Sequence, residues 1–195
     1  MTDTERTARL EELYSRIRKD PGYRNSKMAD VFVPGRGDLG KTGIVLVGEA
    51  PGRNEEISGL PFVGAAGKNL DTLLETACLS RDELFITNVI KYRPIDPQGK
   101  NRNPTSAESD KALPFLLEEL QILQPKLIVC LGRCPARTLL GGYPIMSKMN
   151  GEVFSKHGLR IMVTYHPSPF NYMIAKKREE MHRAFMLLRD FRNEL

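Results

Sequence analysis

One long loop limits what this chain can become. Gly43-Ile-Val-Leu-Val47 is an apolar run that reads as a buried strand. Beyond the loop, Ala66, Leu70, Leu73, Leu74 and Ala77 recur at helical spacing. Between the two, Gly48 to Gly67 hold five glycines, two prolines, three glutamates and one phenylalanine. An ordinary strand-to-helix connection takes only about 2–6 residues. Glycines let backbone N–H groups approach a ligand, and prolines fix a loop's shape in advance. So long a loop of this kind reads as functional rather than connecting. In an open α/β sheet its place is the crevice beyond the carboxyl ends of the strands.

The remaining segments suit such a sheet. A helix is expected over 3–18, with Leu10, Leu13, Tyr14 and Ile17 on one face. Residues 20–42 are punctuated by Gly and Pro, with a short strand at Val31–Val33. Further strands are expected at 84–90, 126–131 and 160–164. Thr105 and Glu108 form a capping box that opens a helix with Leu113, Leu116, Leu117, Leu120 and Leu123 inward. A short helix follows near 133–140, then an irregular stretch over 143–159. A last helix covers about 172–192, with Met181, Phe185, Leu188 and Phe191 on its apolar side. Four strands alternating with helices imply a parallel sheet with right-handed crossovers. At 195 residues the expectation is one domain over 1–195, with 1–40 as a helix and irregular lead-in.

Composition narrows the setting. Twenty-nine Lys and Arg against 24 Asp and Glu give a net charge of +5, a mild lean toward a polyanionic partner. Three cysteines make no disulfide framework, which suits a reducing cytosol. The polar start is no signal peptide. No apolar run approaches the ~20 residues of a membrane helix. A soluble, cytoplasmic protein without membrane contact is expected.

Gly35-Arg-Gly-Asp-Leu-Gly-Lys-Thr42 satisfies the P-loop pattern letter for letter. That motif works by following a strand and opening a helix whose N-terminus faces phosphate. Here it runs straight into the strand at 43–47. Nucleotide binding is set aside.

Three strand ends should converge on one edge of the sheet: Glu49 to Gly52, Asn88, and His166. An acid, an amide and an imidazole there can grip a planar polar ligand. His166 stands on a loop set by Pro167 and Pro169, whereas His157 and His182 read as surface or packing. A strand-end asparagine can equally satisfy a turn. Phe62 can offer a base a stacking face worth ~1–3 kcal/mol, or tuck into the core. The loop 91–102 carries Lys91, Arg93, Lys100 and Arg102 against Asp96, which suits phosphate contact or simply a solvated loop.

Four motifs in order carry a resemblance: Gly48-Glu-Ala-Pro-Gly52, Gly59-Leu-Pro-Phe-Val-Gly64, Ile86-Thr-Asn-Val-Ile-Lys91 and Thr164-Tyr-His-Pro-Ser168. Over about residues 40–195 the chain resembles the uracil-DNA glycosylases, most closely the family 4 branch. The resemblance implies a three-layer α/β/α sandwich on a four-stranded parallel sheet. It also implies hydrolysis of the N-glycosidic bond of uracil in DNA after base flipping, leaving an abasic site. Glu49 and Ala50 would lie beside the scissile bond, Glu49 near the attacking water. Phe62 would stack on uracil, Asn88 would read its amide-like edge, and His166 would donate to O2. Glu55 would stand near the C5 edge and help exclude thymine. Ser168 falls in a motif expected to contact DNA, and Phe170 stands where a wedge enters the base stack. The partner is uracil-containing DNA, bound by a monomer.

The chain departs from that branch in one respect. Family 4 enzymes usually hold an iron–sulfur cluster on four cysteines, two near the N-terminus, one in the Lys-x-Arg-Pro motif and one early in the next helix. Here the last two positions are Tyr92 and Ala112, and residues 1–40 contain no cysteine. Cys78, Cys130 and Cys134 stand elsewhere, and Cys130 reads as a small buried hydrophobe. No metal or other cofactor is expected. One branch of the family crosslinks to DNA through a histidine in an insert; residues 95–103 contain none, so ordinary turnover is expected. Two other readings stay open: a module of the same fold that binds DNA without cleaving it, and a glycosylase for another deaminated base.

Overall fold

The computed structural model describes residues 1–38 and 42–193. In chain order its elements are α1 (Asp3–Lys19), β1 (Met28–Phe32), β2 (Arg36–Gly37), β3 (Ile44–Gly48), α2 (Arg53–Ser58) and α3 (Ala65–Thr76). Then come β4 (Phe85–Asn88), β5 (Tyr92–Pro94), α4 (Ser106–Leu123), β6 (Leu127–Leu131) and α5 (Arg133–Leu140). The last are α6 (Met146–Met149), β7 (Val153–Lys156), β8 (Leu159–Thr164), α7 (Pro169–Met173) and α8 (Ala175–Asn193).

The class is α/β, but the sheet is not the four-stranded parallel one expected. It has six strands in the order β2-β4-β3-β6-β8-β7. The four expected strands form its parallel centre, and β2 and β7 add antiparallel edges. The edges escape a reading of hydrophobic pattern for a physical reason. β2 is two exposed residues, and β7 is largely exposed along its length, so neither has an apolar face to repeat. Short polar edges also leave little for a foreign strand to pair with. β1 and β5 form a separate antiparallel pair.

Every residue of β3 and β6 is buried, as strands covered on both faces require. The helices fall into two groups, α1 with α4 and α5, and α3 with α7 and α8. Thr105 caps α4 as expected: its hydroxyl accepts from the Glu108 N–H at 3.2 Å, and Glu108 accepts from the Thr105 N–H at 2.8 Å. The irregular stretch expected over 143–159 instead contains α6 and β7. In the P-loop look-alike, positions 39–41 lie outside the described residues. Thr42 after them leads into β3, not into a helix. Among the described residues no helix is long and apolar enough to cross a membrane.

Strand register fixes the site. Gly48 pairs with Asn88, and Leu131 with Thr164, so these residues stand at the carboxyl edge of the parallel strands. Glu49 follows Gly48 directly, and His166 follows Thr164 after Tyr165.

Candidate active site

A cavity of about 370 Å³ opens at that edge. Glu49, Ala50, Glu55, Phe62, Asn88 and His166 all line it. Six of the residues singled out in the sequence are thus brought together from β3, β4, β8 and the long loop.

The loop is built around Glu55. Its Oε1 accepts from the Val63 and Gly64 N–H groups at 3.0 and 2.9 Å, and its Oε2 from the Gly52 N–H at 3.0 Å. One carboxylate therefore staples both ends of the loop, and the staple contains α2, a helix hidden inside the Gly/Pro pattern. Phe62 is carried in a left-handed conformation, φ 56°, and Arg81 donates to its carbonyl at 2.7 Å. Its ring is both core and wall: it is 5% exposed, yet it faces the cavity 5.9 Å from the His166 ring. Gly48 makes room for it, since a Cβ there would fall 2.6 Å from the ring and 2.3 Å from Asn88 Oδ1.

Asn88 Oδ1 is buried without a hydrogen-bond partner. Buried polar atoms are rarely left so, and the residue that carries this one lines the cavity. Glu49 is half-buried, and burial raises its pKa above the ordinary carboxylate value. Burial likewise pulls His166 down to about 4, with the Glu55 charge pushing weakly the other way. At neutral pH the imidazole is therefore uncharged, and one ring nitrogen carries a hydrogen.

The His166 loop is tied on three sides. Asn171 Nδ2 donates to the His166 carbonyl at 3.0 Å, Asn69 Nδ2 to the Pro167 carbonyl at 2.9 Å, and the Gly132 N–H to the Thr164 carbonyl at 2.8 Å. Gly132 has φ 105°, and a Cβ there would meet His166 Cβ at 2.9 Å. Gly132→Ala is expected to cost about 1–3 kcal/mol of stability from backbone strain alone. It should also displace His166, so melting temperature and the activity of the site should fall together.

The expected phosphate contacts fare differently: one needs correcting, and two have carboxylate partners. Lys91 is 1% exposed and paired with Glu119 at 2.7 Å, so it cannot reach DNA. Arg93 donates to Glu56 at 2.7 Å and to Asn101 at 2.9 Å, tying α2 to the loop after β5. Arg102 lines the cavity, but its guanidinium makes a two-pronged pair with Glu108 at 2.7 and 2.8 Å. That pairing holds the Glu108 carboxyl down at about 2. Carboxylates supplied by α2 and α4 thus employ two of the loop's cations, and a loop's own sequence cannot reveal this. Lys100 is exposed. Ser168 caps α7, accepting from the Asn171 N–H at 3.4 Å, and Phe170 is 74% exposed. Arg53 and Asn54, not foreseen, stand exposed on the cavity wall at the start of α2. Their place just after Gly52 was the available signal. His182 has both ring nitrogens in hydrogen bonds and His157 sits exposed between β7 and β8, as their surroundings in sequence suggested.

The residues at the family's cluster positions do not suit one. Tyr92 and Ala112 are buried. Tyr92 packs edge-on against Tyr23 and Phe32, centroids 6.2 and 5.4 Å away, and Phe115 meets Tyr23 at 5.4 Å. The Arg18 and Arg24 guanidinium groups lie over the Phe32 and Tyr92 rings. A phenol and a methyl group stand where thiolates would be needed.

The site thus sets an acid, an asparagine with an unpartnered oxygen, an aromatic face and a neutral imidazole around one cavity at the carboxyl edge of a mixed α/β sheet. Residues 34–189 match the family model of the uracil DNA glycosylase superfamily, and the chain belongs to that superfamily. Within it the chain is similar to proteins named type-4 uracil-DNA glycosylase. That of Archaeoglobus fulgidus is 38% identical over 79% of this chain and 78% of its own length. The corresponding values are 37%, 82% and 82% for Pyrobaculum aerophilum, and 36%, 89% and 83% for Saccharolobus solfataricus.

Proposed function

We propose that the protein excises uracil from DNA by hydrolysing the N-glycosidic bond, a step of base-excision repair. The observation that carries this reading is the unpartnered Asn88 Oδ1, buried at the strand edge in a residue that shares the cavity wall with Glu49, Phe62 and His166. It is the acceptor a uracil N3–H requires, while the amide N–H₂ can donate to O4. Flipping a base costs a few kcal/mol, and stacking on Phe62 with these edge hydrogen bonds offsets it. As the bond lengthens, negative charge builds on the base and positive charge on the sugar. The neutral His166 N–H donates toward O2 and stabilises the first, and the Glu49 carboxylate stabilises the second and orients water. Glu55 is fixed by three backbone N–H groups and acts as a rigid wall at C5, where thymine carries a methyl. Ala50 lies beside the scissile bond, and Lys100, Ser168 and Phe170 flank the bound strand, Phe170 filling the gap left in the stack. The protein works as a monomer in a single domain.

A single-turnover assay on single- and double-stranded oligonucleotides carrying one uracil tests this. Alkali-labile strands are expected with uracil and not with thymine. No abasic sites at excess protein would overturn it. Cleavage of hypoxanthine-containing strands in preference to uracil would reassign the base.

A further inference from the structure

Lys91 is the largest polar side chain in the core, and excision chemistry has no direct use for it. Its ammonium is enclosed and fully employed, donating to Glu119 Oε2 at 2.7 Å, to the Asn88 carbonyl at 2.8 Å and to the Thr87 hydroxyl. Glu119 is completely buried on α4 and accepts in turn from Thr87 and from the Tyr14 hydroxyl of α1 at 2.6 Å. The Tyr14 oxygen accepts from the Gly35 N–H at 3.2 Å. The same short turn also binds the acid's peptide, since the Ile90 N–H donates to the Glu49 carbonyl at 3.0 Å.

A buried ion pair is a poor way to gain stability, because apolar residues of similar volume do as well or better. What an ammonium adds is three simultaneous donations with fixed geometry. One of them grips the peptide from which the Asn88 side chain hangs. Among the described residues nothing holds Asn88 Oδ1 directly. Its position at the cavity wall is therefore set by its backbone and by packing.

We propose that Lys91 is a positioning residue for base recognition: its clamp on the Asn88 carbonyl aims the Asn88 amide at the flipped base. This rests on the reading of Asn88 as the group that recognises uracil. A residue acting through Asn88 should matter only while that amide is present, whereas a merely structural residue should matter equally without it.

The test is a double-mutant cycle. Removing one partner alone strands a buried charge, so Lys91→Met is combined with Glu119→Gln, and the pair is made in wild type and in Asn88→Ala. Misplacing a recognition group by about 1 Å can cost on the order of 100-fold, so a loss of about 10- to 100-fold in single-turnover excision is expected with Asn88 present. In the Asn88→Ala background the same change should alter the rate by less than about twofold. Equal losses in both backgrounds, or none in either, would overturn the proposal and leave the excision reading intact. An inactive wild-type protein would instead overturn that reading, and this one with it. If melting shows that the paired variant does not fold, Thr87→Val carries the cycle. It removes one acceptor of the ammonium while keeping both charges, and the same dependence on Asn88 is expected.

Discussion

His166→Ala should lower the single-turnover excision rate by about 100- to 1000-fold, the usual cost of removing one preorganised donor to developing negative charge. The reason lies in the imidazole's state as much as in its place. Burial holds its pKa near 4, so at pH 7 it donates an N–H without carrying a proton to lose. Between about pH 5 and 8 the wild-type rate should therefore show no inflection from this group. Stability behaves differently. An unfolded chain binds this proton near the ordinary 6.5, more readily than the native one does. The group therefore costs stability as pH falls from about 6.5 toward 4, and His166→Ala should flatten that part of a melting-temperature profile. A variant that melts normally and excises at the wild-type rate would remove His166 from the reaction.

Glu49→Gln should cost about 100- to 10,000-fold in rate, since in the proposed reaction it removes the charge that would face the sugar and the acceptor that would orient water. Here the pH dependence identifies the group. Burial raises the Glu49 pKa above 4.5, and the working form is the carboxylate. Excision by the wild-type protein should accordingly fall as pH drops through that raised value. In Glu49→Gln the residual rate should lose this acid limb. An unchanged limb would assign it elsewhere.

Much of the site was legible because its signals are local. Glu49, Asn88 and His166 each stand at or just past the end of an apolar run, and register brings those ends to one edge of the sheet, with β6 between β3 and β8. The capping box at Thr105 was equally plain. What stayed hidden depends on partners far along the chain. Lys91 looked like a loop cation because Glu119, 28 residues away, is what buries it. Yet Glu119 stands three residues after the inward-facing Leu116 and four before Leu123. An acid on the apolar face of a helix is the sign that a buried cation is near. The carboxylate partners of Arg93 and Arg102 were hidden for the same reason. Helix α2 was masked by the glycines on either side of it, one of which caps it in a left-handed conformation.

The chain from Tyr14 through Glu119 and Lys91 to Asn88 also bears on where this protein begins. The family match starts at residue 34, and by that measure α1 looks like an appendage. Its tyrosine nevertheless supplies one of the hydrogen bonds that keep a buried carboxylate satisfied beneath the site. The span of the family model is thus smaller than the span that supports the site: a helix outside it holds a carboxylate that the base-facing strand depends on.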